Sequence, residues 1–280
     1  MLKILTSVKV ILVGVVVPAL FFSTVIHANN IHTKIPKVLS VISYSKFTPI
    51  SYGTHGEGYE GDLLRAIAKL WGLNIKFYPE SSYEGLWLLP SKDYTTADLS
   101  MGGMTPSAYR IKQGALFSIG TVSFNQSLLV RRADYESGKI VSYQSFKKNN
   151  RKIGVVPGTT GELYAHVRAK ENNLSHNVFV AYQSEAELLP ALMSGKIDAI
   201  ARGDIGNSYQ ESKNHKLITI AKRSFGEHFA FAINNTNQAL ANNLNQAIRQ
   251  ITNNGNITYL QWLKNHNVFL EQVYRLTHEK

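Results

Sequence analysis

Segments that read as strands alternate with segments that read as amphipathic helices over most of this chain, and that alternation confines it to a few architectures. Glu60 to Trp71 (EGDLLRAIAKLW) puts Leu63, Leu64, Ile67, Leu70 and Trp71 on one face, with Gly72 as the stop, and predicts a helix. Leu73 to Tyr78 (LNIKFY) alternates inward and outward residues, is closed by Pro79 and predicts a strand. The same grammar returns further on. Lys152 to Val156 reads as a strand, Pro157 to Gly161 as a turn and Glu162 to Ala169 as a helix. Phe179 to Tyr182 is a strand, Glu185 to Ser194 a helix closed by Gly195, and Ile197 to Ala201 a strand. Phe229 to Ile233 adds another strand. Gln238 to Thr252 is a helix with Leu240, Leu244, Ala247, Ile248 and Ile251 on one side, stopped by Asn253-Asn254-Gly255-Asn256. A short last helix carries Tyr259, Leu260, Trp262 and Leu263. This spacing implies α/β architecture with parallel sheets; there is no internal repeat, heptad run or low-complexity segment.

The first residues stand apart from the fold. Lys3 and Lys9 precede an apolar run from Val10 to Phe22 that ends in the small-residue stretch Val25-Ile26-His27-Ala28, the pattern of a cleavable export signal over residues 1–28. The run falls short of the roughly 20 residues a spanning helix needs. No cysteine follows Ala28, or occurs anywhere in the chain, which excludes a lipid-anchored lipoprotein and disulfide stapling. An exported chain of this size held by packing alone suits a bacterial periplasm. The formal net charge is +11, two of it from Lys3 and Lys9. The densest basic group, Lys147, Lys148, Arg151 and Lys152, reads as a solvated rim, so no nucleic-acid partner is expected.

Two loops carry chemistry. Gly158-Thr159-Thr160 runs from a strand into a helix and offers free N–H groups, hydroxyls and the positive end of a helix dipole, which makes an anion site; a plain threonine N-cap reads equally well there. It lacks the lysine and glycine spacing of a phosphate-binding P-loop. In Gly102 to Arg110 (GGMTPSAYR), glycines allow close backbone approach, Thr105 and Ser107 supply hydroxyls, and the arginine fork suits a carboxylate. Asp204, just past the Ile197–Ala201 strand, stands where open α/β sheets keep ligands and can meet an ammonium. There is no G-x-S-x-G, no H-E-x-x-H and no cysteine nucleophile, the histidines show no metal-ligand spacing, and neither a metal nor a cofactor is expected.

The order of these segments resembles the type 2 periplasmic solute-binding proteins of ABC importers, in the polar amino-acid-binding family (family 3). Over residues 36 to 275, FTPI, GYEGDLLRAIAKLWG, ADLSMGGMTPSAYR, GVVPGTTGELY and LMSGKIDAIARGD match the family's motifs in order. The resemblance implies two Rossmann-like α/β lobes around a central cleft: residues 29–129 with 229–280 in one, 130–228 in the other, joined by crossovers near Leu128–Arg131 and Ser224–Phe229. It places carboxylate contacts on Arg110, Thr105, Gly103 and the Thr159-Thr160 loop, the ammonium acid on or beside Asp204, and ring positions on Phe47 and Tyr83; Ser107, also read as a ligand contact, stands where the family has a second threonine. Two departures stand out. Asp204 comes six residues after Asp198 where the family usually has five, leaving Gly203 at the fifth position, and Phe117-Ser118 lies one residue further from Arg110. Relatives that bind lysine or arginine often carry an acid at the position of Tyr44, which argues against a strongly cationic ligand; Glu57, Glu60, Glu84 and Glu185 offer charge, and Arg202 favours an acidic or amide side chain.

The implied function is capture of a small amino acid or related carboxylate by a monomer in the periplasm and delivery to an ABC permease at the inner membrane, without chemistry. Two alternatives share the scaffold. One is a periplasmic cyclohexadienyl dehydratase acting on prephenate or arogenate, whose general acid would come from Glu60, Glu84, Glu162, Glu185 or His228. The other is a ligand-sensing receptor domain, which would signal through a separate protein because the sequence carries neither a kinase nor a second apolar span.

Overall fold

The computed structural model describes residues 31–148, 150–253 and 258–266; the export signal and the Asn254-Gly255-Asn256 stop lie outside them. The first lobe opens with β1 (Val38–Tyr44), the short pair β2 (Lys46–Phe47) and β3 (Ser51–Tyr52), α1 (Tyr59–Leu70), β4 (Asn74–Glu80), β5 (Leu99–Met104), α2 (Ala108–Lys112) and β6 (Leu116–Phe117). The chain leaves it along β7 (Val122–Arg131). It then builds α3 (Arg132–Glu136), β8 (Ile153–Val155), α4 (Thr160–Glu171), β9 (Phe179–Ala181), α5 (Glu185–Met193), β10 (Ala199–Gly203) and α6 (Asp204–Lys213). It returns along β11 (Leu217–Ile233) and ends in α7 (Gln238–Asn253) and α8 (Tyr259–His266).

Strand order is β4-β1-β5-β11-β7-β10-β8-β9, with β6 beside β11. The outer pairs β1–β4, β1–β5, β8–β10 and β8–β9 are parallel, as the strand–helix alternation requires. The middle is not. β11 runs antiparallel to β5 and β7, and β7 antiparallel to β10, because both long strands pass from one lobe to the other in opposite directions. Val122 and Phe124 of β7 pack in the core of the first lobe, while Leu128, Leu129 and Val130 already pack in the second. The passage along β7 therefore lies just ahead of the Leu128–Arg131 segment read from the sequence. On β11 it falls between Ile220 and Phe229, where two register shifts interrupt the ladder.

β4 also runs through Pro79 instead of stopping there, with Pro79 opposite Ser43. It is an edge strand, where a residue without an N–H loses no ladder bond. The apolar face of α1, Leu63, Leu64 and Ile67, is fully buried against the sheet and α7, and the Trp262 indole of α8 donates to Asp62 of α1 over 2.8 Å.

Gly61 sets how α1 enters this core, since a Cβ there would stand 1.8 Å from the Gly56 carbonyl oxygen. A backbone oxygen cannot rotate away. Gly61→Ala is expected to lower unfolding free energy by about 1–3 kcal/mol, the range for overpacked cores, read as an earlier urea midpoint; an unchanged midpoint would mean the entry of α1 yields freely.

Candidate ligand-binding site

The site starts from the end of β5. Gly103 has φ 66, and a Cβ on it would press 2.5 Å from the Phe47 ring, so only glycine fits beneath that ring. The N–H groups of Gly102 and Gly103 donate to one oxygen of the buried Glu60, over 2.8 and 3.0 Å. The other Glu60 oxygen is buried without a partner. Burial pushes this carboxyl up to about 7 against the pull of the two N–H groups. Glu60 thus fixes the strand end, whose Gly103 carbonyl accepts the Tyr83 hydroxyl at 3.2 Å.

Arg110 follows in the first turn of α2, with Ser107 as N-cap accepting from its backbone N–H. Its side chain is 2% exposed. The guanidinium lies 4.4 Å from the Trp87 ring and 5.4 Å from that of Tyr83. One arm donates to the Thr105 carbonyl at 2.9 Å and the other crosses to the second lobe, donating to the Gly158 carbonyl at 2.8 Å. Among the described residues no carboxylate lies within salt-bridge distance of it.

Across the cleft the two threonines divide the work. Thr159 is the N-cap of α4, accepting from Glu162 N–H at 3.1 Å and donating to the Val156 carbonyl at 2.8 Å, so its hydroxyl is used up in the turn. Thr160 turns its hydroxyl into the cleft, 3.4 Å from that of Thr105 and 3.3 Å from the Gln126 amide. The Gly158 N–H is taken by Glu162. The positive end of α4 thus meets the cleft through Thr160 and Gly161, which both line the cavity.

Glu227 on β11 completes the cluster. Gly226 before it has φ 70, the left-handed conformation that reorients the strand between its register shifts. The buried Glu227 carboxylate accepts from the Thr105 hydroxyl at 3.1 Å and the Gln126 amide at 2.6 Å. Burial raises its pKa, opposed by hydrogen bonds from Thr160, Gln126 and Thr105 and by the charge of Arg110. Among the described residues it has no salt bridge.

Tyr44, Phe47, Tyr83, Gly103, Thr159 and Thr160 all line one cavity between the lobes, with Phe124, Gln126, Glu185, Arg202, Gly203 and Phe229. Arg110 and Thr105 stand beside it, behind the Thr105–Thr160 contact. Ser107 serves as a helix cap, and Asp204 does not face the cavity: both its oxygens accept from Asn125, the backbone N–H and the side-chain amide, at 3.1 Å each. Gly203 is at the cavity instead, and a side chain there would run into the Phe124 ring, 2.9 Å away. The sequence reading missed Phe124, Gln126, Glu227 and Phe229. All lie on the two crossing strands, where alternation marks a strand without marking a cleft. Only about 30 Å³ of the cavity is open to water, room for a couple of water molecules, so a ligand enters only when the lobes part.

A raised carboxyl pKa in the fold favours the protonated form, so the stabilising effect of the Glu60 proton is complete below about 4.5 and fades as pH rises toward about 7. The loss is on the order of 3 kcal/mol. Subtracting the pH profile of unfolding free energy for Glu60→Gln from that of the wild type should leave a downward slope between pH 4.5 and 7; parallel profiles would remove Glu60 as its source.

Comparison with known proteins adds the family. The description "Bacterial extracellular solute-binding proteins, family 3" matches residues 39–265. A probable histidine-binding protein of Neisseria gonorrhoeae is 26% identical over 227 residues, covering 78% of this chain and 80% of that protein. An arginine-binding periplasmic protein of Mannheimia haemolytica is 26% identical over 214 residues, covering 74% and 81%. Among solved structures, an ancestral arginine-binding protein bound to arginine superposes with a TM-score of 0.68 at 22% identity, covering 86% of this chain and 97% of its own. An ancestral amino acid-binding protein described as a precursor of cyclohexadienyl dehydratase gives 0.67 at 23%, covering 86% and 95%; at these identities the likeness is one of fold. With the family match running from β1 to the last helix, the chain belongs to the bacterial extracellular solute-binding proteins of family 3.

Proposed function

We propose that this protein holds one small amino acid between its lobes in the periplasm and presents it to an ABC permease of the inner membrane, acting as a monomer and without chemistry. The observation that carries this reading is a pair of buried, oppositely charged groups that have no salt bridge among the described residues, Arg110 and Glu227, held on either side of Thr105. An unpaired charge inside a protein is costly unless something compensates it. A zwitterion compensates both. Its carboxylate takes Arg110 and the Thr160 end of α4; its ammonium takes Glu227, in place of Asp204, which is committed to Asn125.

The lobes, residues 29–129 with 229–280 and residues 130–228, close as a clamp. The contacts Arg110–Gly158 and Thr105–Thr160 join the two sides and must part for entry. The relatives compared by sequence are named as histidine- and arginine-binding proteins, which supports an amino acid as cargo and binding as the activity. Of the five residues that could act as the general acid of a dehydratase, Glu162 is held by the Gly158 N–H and Glu185 by Arg202; turnover of prephenate separates the two readings.

Among the twenty common L-amino acids, one or a few should raise the melting temperature. Arg110→Ala is expected to abolish the rise, and Glu227→Gln to weaken binding at least tenfold, about 1.4 kcal/mol, while leaving the matching 2-oxo acid unaffected. No rise with any amino acid, or turnover of prephenate to phenylpyruvate, would overturn the reading.

A further inference from the structure

Three polar residues of the cavity wall, Tyr44, Glu185 and Arg202, have no part in the contacts assigned above to the ligand's carboxylate and ammonium. Arg202, 6% exposed, projects from the end of β10, and three of its five N–H groups are taken by the protein, one of them by a carboxylate that neutralises its charge. It donates to Glu185 of α5 at 2.8 Å, to the Asn207 side chain at 2.7 Å and to the Gly206 carbonyl at 3.1 Å. Glu185, 10% exposed, gives one oxygen to that pair, and both residues line the cavity. Facing them from β1 is Tyr44, fully buried, also lining the cavity, with a hydroxyl that has no hydrogen-bond partner. The Glu185 backbone N–H is a neighbour of that hydroxyl, but no hydrogen bond joins them. A buried hydroxyl without a partner is destabilising and marks a place where a ligand atom belongs.

Each charge state of the ligand meets a different fate here. A guanidinium or ammonium finds Glu185 already neutralised and the Arg202 charge beside it. A carboxylate finds Arg202 neutralised and Glu185 beside it. A neutral group bearing both a donor and an acceptor meets no like charge: its N–H reaches the remaining acceptor capacity of Glu185, and its acceptor takes the Tyr44 hydroxyl. Phe47 and Phe229, edge to face at 5.7 Å, with Phe124 stacked on Phe229 at 4.2 Å, form an aromatic wall that suits a flat group.

We propose that the side-chain end of this cleft selects a neutral, planar group carrying one donor and one acceptor, a carboxamide or a neutral imidazole, and that Tyr44 and the Arg202–Glu185 pair determine that choice. The proposal rests on the amino-acid-binding reading above and narrows it.

The test is titration calorimetry at pH 8 with L-glutamine, L-asparagine, L-histidine, L-arginine, L-lysine, L-glutamate and L-leucine. Glutamine, asparagine or histidine should bind at least tenfold more tightly than the other four. Tyr44→Phe should weaken that ligand at least tenfold while the ligand-free protein stays folded by circular dichroism. Arg202→Met leaves Glu185 uncompensated and should shift preference at least tenfold toward arginine or lysine; where that variant does not fold, Tyr44→Phe decides alone. Tightest binding of arginine, lysine, glutamate or leucine by the wild type, or a Tyr44→Phe variant of unchanged affinity, overturns the selection while leaving the amino-acid reading intact. No binding of any of the seven overturns the selection, and the broader reading falls only if the remaining amino acids also fail.

Discussion

A guanidinium buried between Trp87 and Tyr83, with no carboxylate beside it among the described residues, organises this molecule. Removing a cation from water is tolerable only when its N–H groups are answered, and here the answers are two backbone carbonyls, Thr105 on its own lobe and Gly158 on the other, with the Tyr83 hydroxyl at 3.4 Å. These neutral acceptors take three of its five N–H groups and bring no ion pair. The rings add attraction through their faces, yet they too are neutral. Arg110 is therefore stable enough to hold its place and still electrostatically incomplete, a combination a permanent ion pair would remove.

The fold supplies the rest by running two long strands in opposite directions through the same gap. Gln126 on β7 and Glu227 on β11 come from positions about a hundred residues apart in sequence, yet both sit between the lobes because the strands cross there. Gln126 and Glu227 stand between the stretches of these strands that pack into the two cores, so their side chains can meet in the gap. The bulged register of β11 makes this possible for Glu227, which in an even ladder would follow the alternation of its neighbours.

That placement also explains what was legible in the sequence. The helices α1 and α7 follow apolar periodicity, a local property, and the structure has them, with α4, α5, β4, β8, β9 and β10, within a few residues of where the sequence puts them. Arg110, Thr105 and Thr160 stand out in the sequence because glycines and hydroxyls crowd the turns at strand ends, whereas Phe47 and Tyr83 come from the family resemblance; the structure sets Phe47, Tyr83 and Thr160 in the wall of one cavity, with Arg110 and Thr105 beside it. Thr159 and Thr160 could not be separated beforehand, since which one caps the helix depends on where the first turn of α4 starts. Asp204 opens α6 just past β10 and its carboxylate accepts from Asn125, while Gly203, at the position where the family usually has its acid, stands at the cavity beside the Phe124 ring. Glu227 carried no local signal at all, for a glutamate near the start of an apolar strand reads as solvent-facing until the partner strand is known.

The shut cleft finally bears on how tightly any guest can be held. The groups that join the lobes without a ligand, Arg110 to Gly158 and Thr105 to Thr160, are the groups a carboxylate would engage, so binding exchanges these contacts for new ones. On the proposed reading, the end of the cleft that would hold the backbone atoms of an amino acid contributes less net affinity than its donors suggest, because contacts between the lobes already draw on them. The Tyr44 end has no such internal substitute, since its hydroxyl is unpaired when the lobes are closed. A ligand favours the closed state only through contacts that state lacks without it. By that logic closure responds most strongly to the side chain of the guest, and discrimination and clamping become one event.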